Sequence, residues 1–250
     1  MIPRRDPQVL DALKTRLRSL ETAGGQGGVL PFGVPAIDRL LPGGGLARIG
    51  LHEVLAERGP GAGFIAALAG RLDRAASGGA PVLWVARQAE LYGPGLARFG
   101  LAPERLIVVQ AGHETEVLWA MEEGLRTPGL AAVVGELTAL DLTAGRRLQL
   151  AAEAGGSTGL VLRPVDTAAG AGAAGSRWRV RPAPSPREAG GGWTCWQVGL
   201  ERCRGMATAP ADWIVEWRDA TSDFALAAET GDRPAAPARP HAAGLDRAVA

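Results

Sequence analysis

Lysine is almost missing from this chain: of 27 basic residues only Lys14 is a lysine, and the other 26 are arginines. A high-GC genome accounts for that skew more simply than arginine chemistry does. It still has a chemical consequence, because a phosphate-binding loop of the Walker type closes on a lysine. Cysteine is also scarce, and Cys195 and Cys203 alone make neither a disulfide framework nor a zinc cluster. Of the three histidines, His52 stands beside Glu53 with no second histidine at helical spacing, which excludes a zinc-protease motif, and His113 and His241 have no partners in sequence. No order of serine, histidine and aspartate around a nucleophile turn is visible. Long apolar runs are absent, and MIPRRDPQVL lacks the apolar core of a signal peptide, so a cytoplasmic protein with no membrane span is expected. A formal charge of only +1 excludes a global electrostatic commitment to nucleic acid or membrane, so any such binding must be local.

What is present is enough apolar material for a substantial core, 46% of 250 residues. Val9, Leu10, Leu13, Leu17 and Leu20 repeat at helical spacing, which predicts a short amphipathic helix over Pro7 to Leu20, followed by the linker ETAGGQGG. From Val29 the pattern alternates. The strands LHEVL, PVLWVA, RLIVVQ, LAAVVGEL and STGLVLRP are separated by the helical segments FIAALAGRLDRAA, GPGLARFG, ETEVLWAMEEGLR and TAGRRLQLAAEA. Short apolar strands alternating with helices predict an α/β fold, a mainly parallel sheet flanked by helices. After Pro164 the rhythm changes. DTAAGAGAAGS is low-complexity, and SRWRVRP, WTCWQVGLERCRG and DWIVEW read as three strands without intervening helices, an antiparallel extension at the sheet edge. The expected organisation is a helix and linker over 1–27, one core over 28–229, and a flexible Pro- and Ala-rich tail over 230–250.

This order of parts resembles the RecA-like recombinases and, more closely, the ImuA family of RecA-related proteins of bacterial mutagenesis cassettes. The resemblance is carried by LPFGVPAIDRLLPGGGLARIGLHEVL, by its spacing to the glycine-rich stretch AERGPGAGFIAALAG, by VLWVARQAELYGPGLARFGLAPERLIVV, and by the hairpin after Trp178, together about Val29 to Glu229. It implies a RecA-like P-loop fold.

The chemistry of a working P-loop is missing from that frame. A lysine and a Ser or Thr should follow the last loop glycine, to neutralise terminal phosphates and hold Mg²⁺. Laid on the RecA-like pattern without gaps, those positions are Ala62 and Gly63, and a shifted register offers Phe64 and Ile65 instead. The metal-holding acid expected at the end of LAAVV is Gly135, with Glu136 one step later. The carboxylate that would polarise water falls near Arg87 or Gln88, with Glu90 close by. Gly59, Gly61, Ala62 and Gly63 are therefore read as a vestigial nucleotide loop, a glycine turn capping a helix. No cofactor, metal or catalytic residue is expected.

Two features could carry binding. Residues 177–204 hold six arginines against two glutamates, interleaved with Trp178, Trp193 and Trp196. Arg177, Trp178, Arg179 and Arg181 could form a surface for single-stranded DNA, on which bases stack; alternatively the tryptophans pack the sheet while the arginines face solvent. Arg202 and Arg204 match in position a basic pair by which recombinases reach across a subunit interface. With Leu10, Leu13 and Leu17 of the N-terminal stripe, they are candidate interface residues.

Similarity to the ImuA family implies a non-catalytic adaptor in damage-induced, error-prone translesion synthesis. Its implied partners are a catalytically inactive Y-family polymerase homologue, an error-prone C-family polymerase and a recombinase of the RecA type. Two other readings stay open, a divergent DNA-dependent ATPase that regulates a recombinase filament and an interaction protein resembling cell-division inhibitors.

Overall fold

The structure, a computed structural model, describes residues 28–72, 79–88, 90–166, 172–185, 194–206 and 211–227. The expected N-terminal helix with Leu10, Leu13 and Leu17, residues 167–171 within DTAAGAGAAGS, Trp193 and the tail from residue 230 lie outside the described residues.

One nine-stranded sheet organises the core. Its parallel part comprises β3 (Gly50–Ala56), β4 (Val82–Ala86), β5 (Leu106–Gln110), β6 (Ala132–Glu136) and β7 (Thr158–Arg163). The later strands are β8 (Ser176–Ala183), β9 (Cys195–Cys203), β10 (Ala211–Arg218) and β11 (Asp223–Leu226), and the order across the sheet is β11-β10-β9-β8-β3-β7-β6-β4-β5. A separate two-stranded ladder joins β1 (Val29–Leu30) to β2 (Leu46–Ala47). The helices are α1 (Pro35–Asp38), α2 (Arg58–Arg71), α3 (Gly93–Ala97), α4 (Glu114–Arg126) and α5 (Leu142–Gly155).

The α/β class and the mostly parallel sheet agree with the sequence pattern, and the C-terminal part differs in two ways. β8 is not the first antiparallel strand, because it runs parallel to β3 with His52 opposite Ser176 and Val54 opposite Trp178. The antiparallel part therefore begins at β9 and gains a strand that was not expected, β11, paired with β10. DFAL gave little sequence signal because four residues carry almost no periodicity. β3 lies between β7 and β8, and all seven of its residues are buried. That explains why LHEVL tolerates a histidine and a glutamate only as fully partnered groups.

Each face of the sheet has its own core. On one face α2 packs against Val54, Leu160, Trp178, Val180 and Trp196, with Phe32 and Ile37 in the same cluster. Every residue from Gly61 to Gly70 is buried, which suits a helix that is apolar all round rather than along one stripe. The aromatic side chains gather there: Phe32 lies 5.0 Å from Trp178 between ring centroids, Phe64 5.8 Å from Trp196, and Phe224 5.1 Å from Trp217. On the other face α4 and α5 bury Val117, Met121, Leu125 and Leu148 against Leu51, Val85, Val133 and Val161.

Candidate binding cleft at the carboxyl ends of the strands

The glycine-rich stretch is not a loop in the structure. β3 ends at Ala56, Glu57 is the N-cap, and α2 begins at Arg58, so Gly59, Gly61, Ala62 and Gly63 all belong to the helix. The expectation of a capping turn is corrected accordingly, because these glycines serve close packing. A Cβ on Gly61 would stand 2.4 Å from Leu162 Cδ1 and 2.9 Å from Ala56 Cβ, and one on Gly63 would stand 3.0 Å from the Phe99 ring. With one residue between strand and helix, no run of backbone N–H groups is left to wrap a phosphate.

A cleft of about 330 Å³ opens beside this junction, at the carboxyl ends of β3, β4, β6 and β7, where open α/β sheets place their ligands. Its walls carry charge of both signs. Arg58 Nε pairs with Glu136 Oε2 at 3.2 Å, and Arg58 Nη1 stands 3.8 Å from Glu90 Oε2. Trp84 Nε1 donates to Glu136 Oε1 at 3.0 Å. Glu114 Oε1 accepts from Thr138 N at 2.7 Å and from its hydroxyl at 2.5 Å. Both acids left open for ATPase chemistry thus face an arginine, and among the described residues no cluster of histidine, cysteine, aspartate and glutamate could hold a metal.

One sequence assignment is reversed here. Gly135 does not mark the place of a lost cleft acid: a Cβ there would stand 2.0 Å from Met121 Sδ, inside the α4 core. Strand alternation aims Glu136 toward the start of α2 instead. The parity of LAAVVGEL could have revealed this, since Val134 and Glu136 share a face; the signal for Arg58 was only its place two residues beyond the strand.

The arginine and tryptophan segment is divided by the sheet. Trp178 is fully buried and donates through Nε1 to Ser176 Oγ at 2.8 Å, so it offers no stacking face. Trp196 and Trp217 are buried in the same core. Arg177, on the opposite face, is buried too. Its Nε and Arg163 Nη1 each lie 3.1 Å from Glu53 Oε2, so two guanidiniums share one carboxylate, and all three side chains are at least 94% buried. Arg179 pairs with Glu201 and donates to Val165 O at 2.9 Å. Arg181 alone of the four is exposed. The tryptophans therefore pack the sheet, and the DNA surface expected from Arg177 and Trp178 is corrected.

Arg202 and Arg204 are exposed residues that reach the far side of the same strands. Arg202 Nη2 donates to Ala174 O at 2.6 Å and Arg204 Nη2 to Ala173 O at 3.1 Å. Burial, then repulsion from Arg177, lowers the Arg202 pKa from its ordinary value. These arginines hold the chain as it enters β8.

Near the other end of β3, His52 Nε2 donates to Ala47 O at 2.8 Å, while Nδ1 lies 2.7 Å from Ser176 Oγ. Burial drives its pKa down to about 4, partly opposed by the bond to Ala47. The ring is a neutral pin between β3, β8 and the β2 turn, not a base at a site.

Comparison with known proteins adds a direct relationship. The Protein ImuA sequences of two strains of Caulobacter vibrioides are each 44% identical to this chain over 232 residues, covering 84% of this chain and 93% of theirs. The chain belongs to the ImuA family. No protein-family model matches it. Among the described residues of this ImuA-family chain, no helix is long and apolar enough to cross a membrane.

Proposed function

We propose that this protein is a non-catalytic, RecA-like accessory protein of damage-induced mutagenesis, an adaptor that brings together the polymerases of error-prone translesion synthesis. The observation that carries the reading is the one-residue junction at Glu57, where a nucleotide-hydrolysing relative would need a phosphate loop. The absent lysine and the Arg58 contacts to Glu136 and Glu90 point the same way. Family membership supplies the process. A protein that keeps a well-packed α/β core without phosphate chemistry is most simply a scaffold for other proteins.

The partners we assign are an inactive Y-family polymerase homologue, an error-prone C-family polymerase and a RecA-type recombinase. Co-purification of the full chain with each candidate tests the assignment, repeated with chains that begin at Gly28 or end at Glu229. Retention of at least one partner by the full chain is expected, with loss from one truncated form. If none of the candidates is retained, the adaptor reading fails.

A further inference from the structure

β5 has the sequence of an interior strand and the position of an edge. It reads LIVVQ, a continuous apolar run of the kind found in parallel strands covered on both faces. None of its five residues is buried, whereas β3 and β7 are buried throughout. Ile107 and Val108, which point to opposite faces, are 47% and 44% exposed. The flanking helices α4 and α5 pack on β3, β4, β6 and β7 instead. β5 also ends the strand order, so among the described residues no strand pairs with its outer side. The opposite edge is guarded: β11 opens on Asp223, which pairs with Arg71 at 3.7 Å, and it buries Phe224. β5 carries none of the usual guards, neither charge nor proline nor bulge.

The direction of the main-chain groups decides what can cover this edge. Ala111 N donates to Ala86 O at 3.0 Å, and along a parallel strand alternate residues turn their N–H and C=O groups to the same side. Ile107 and Val109 therefore bond to β4, and Leu106, Val108 and Gln110 hold theirs outward. An antiparallel second copy centred on Val108 matches every one of these groups. Val108 exchanges both bonds with its own equivalent, and Leu106 does so with Gln110 of the second copy. Ile107 then faces Val109 of the second copy at a non-hydrogen-bonded position, where β-branched side chains approach closely. No like charges meet, because Glu104 and Arg105, just before the strand, fall opposite Gly112 and Ala111 of the second copy. A charged peptide would find nothing in LIVVQ to read.

We propose that the β5 edge is an interface between two copies of this chain, paired antiparallel about a two-fold axis at Val108 so that their nine-stranded sheets join. A five-residue strand with two exposed side chains falls short of the roughly 800 Å² per partner of a standard interface, so the dimer is weak, with a Kd on the order of 10 µM. The same patch meets itself, so assembly closes at two copies. The dimer does not depend on the adaptor role.

Sedimentation equilibrium of the full chain from about 1 to about 200 µM tests it. Monomer at the low end and dimer at the high end are expected, with no larger species. Val108→Arg sets two cations against each other on the axis and should weaken dimerisation at least about tenfold, as should Val108→Glu, while an equimolar mixture of the two variants should restore it. Leu226→Arg at the other edge and Leu13→Glu in the N-terminal segment should leave the dimer unchanged. Hydrogen exchange of the natural chain gives a readout without any variant: segment 104–112 should exchange more slowly as concentration rises, and β11 should not change. A monomer at every concentration, a larger assembly, full dimerisation of Val108→Arg, a mixture that restores nothing, loss of the dimer in Leu226→Arg or Leu13→Glu, or concentration-independent exchange of segment 104–112 each overturns the proposal.

Discussion

Arg58 and Glu136 face each other at 3.2 Å across the mouth of the cleft, one from the first residue of a helix and the other from the last residue of a strand two positions away in the sheet. Glu136 is mostly buried, and Trp84 fixes its second oxygen, so the pair is more constrained than an ordinary surface bridge. The pair sets a cation fixed in side-chain geometry against the carboxylate best placed to attend the start of α2.

Nucleotide affinity should accordingly be beyond repair by side chains alone. Ala62→Lys with Gly63→Thr restores the lysine and the hydroxyl, yet both positions lie inside α2, and a Cβ at Gly63 would press on Phe99 at 3.0 Å. Titration with a fluorescent ATP analogue and Mg²⁺ should give no saturable binding below about millimolar concentration, roughly −4 kcal/mol, for either the natural chain or the double variant. Low-micromolar affinity in the natural chain would overturn the vestigial reading.

The fold was legible in the sequence wherever period and length agreed. β3 to β7 and their helices follow from apolar runs separated by helical repeats, since parallel strands buried on both faces read as continuous apolar segments. Less legible was whether AERGPGAGF turns or winds: glycine and proline suggest a turn, but Pro60 in the first helical turn lacks no bond that the helix would make, and the glycines let α2 approach Leu162 and Ala56. The cleft acids were visible as residue types, whereas which of Gly135 and Glu136 faces the cleft depends on strand parity. Arg177 was indistinguishable from Arg181 in sequence; only the position of β8 beside Glu53 buries one and exposes the other.

Gly61→Ala tests the close approach of α2 to the sheet. Alanine improves helix propensity by about 1 kcal/mol. Against that, the new methyl must displace Leu162 Cδ1 and Ala56 Cβ, both buried, and overpacking of this kind costs about 1–3 kcal/mol. A net loss of stability is expected in urea denaturation, with an unchanged m-value. A stabilised variant would show that helix and sheet have room to part.

Acid should destabilise the fold through His52. Its folded pKa of about 4 lies below the ordinary 6.5, so between those values the unfolded chain binds a proton that the folded chain refuses. Stability from this residue is complete above pH 6.5 and falls as pH drops toward 4, by at most about 1.4 kcal/mol per pH unit. Denaturation midpoints measured across this range should fall on acidification. His52→Gln should be less stable at neutral pH and show a shallower decline, and an unaltered slope would remove His52 as the cause.

Glu53 and Arg181 give opposite expectations that separate internal arginines from a nucleic-acid surface. Glu53→Gln leaves Arg163 and Arg177 buried without their carboxylate, and stability should fall by about 3–5 kcal/mol. Arg177→Ala should also destabilise, while Glu53 keeps Arg163. Any loss of DNA binding in that variant is therefore uninterpretable unless the folded fraction is measured. Arg181 is exposed, and its removal should change stability by less than about 0.5 kcal/mol. If single-stranded DNA uses the face carrying Arg179 and Arg181, Arg181→Ala reduces the slope of log affinity against log salt by about 0.7, the share of one phosphate contact on a single strand. An unchanged slope and affinity assign Arg181 to solvent. No tryptophan of the buried sheet face should then matter to DNA: Trp178→Leu would lower stability through the loss of its contact with Phe32, with no separate effect on the salt dependence.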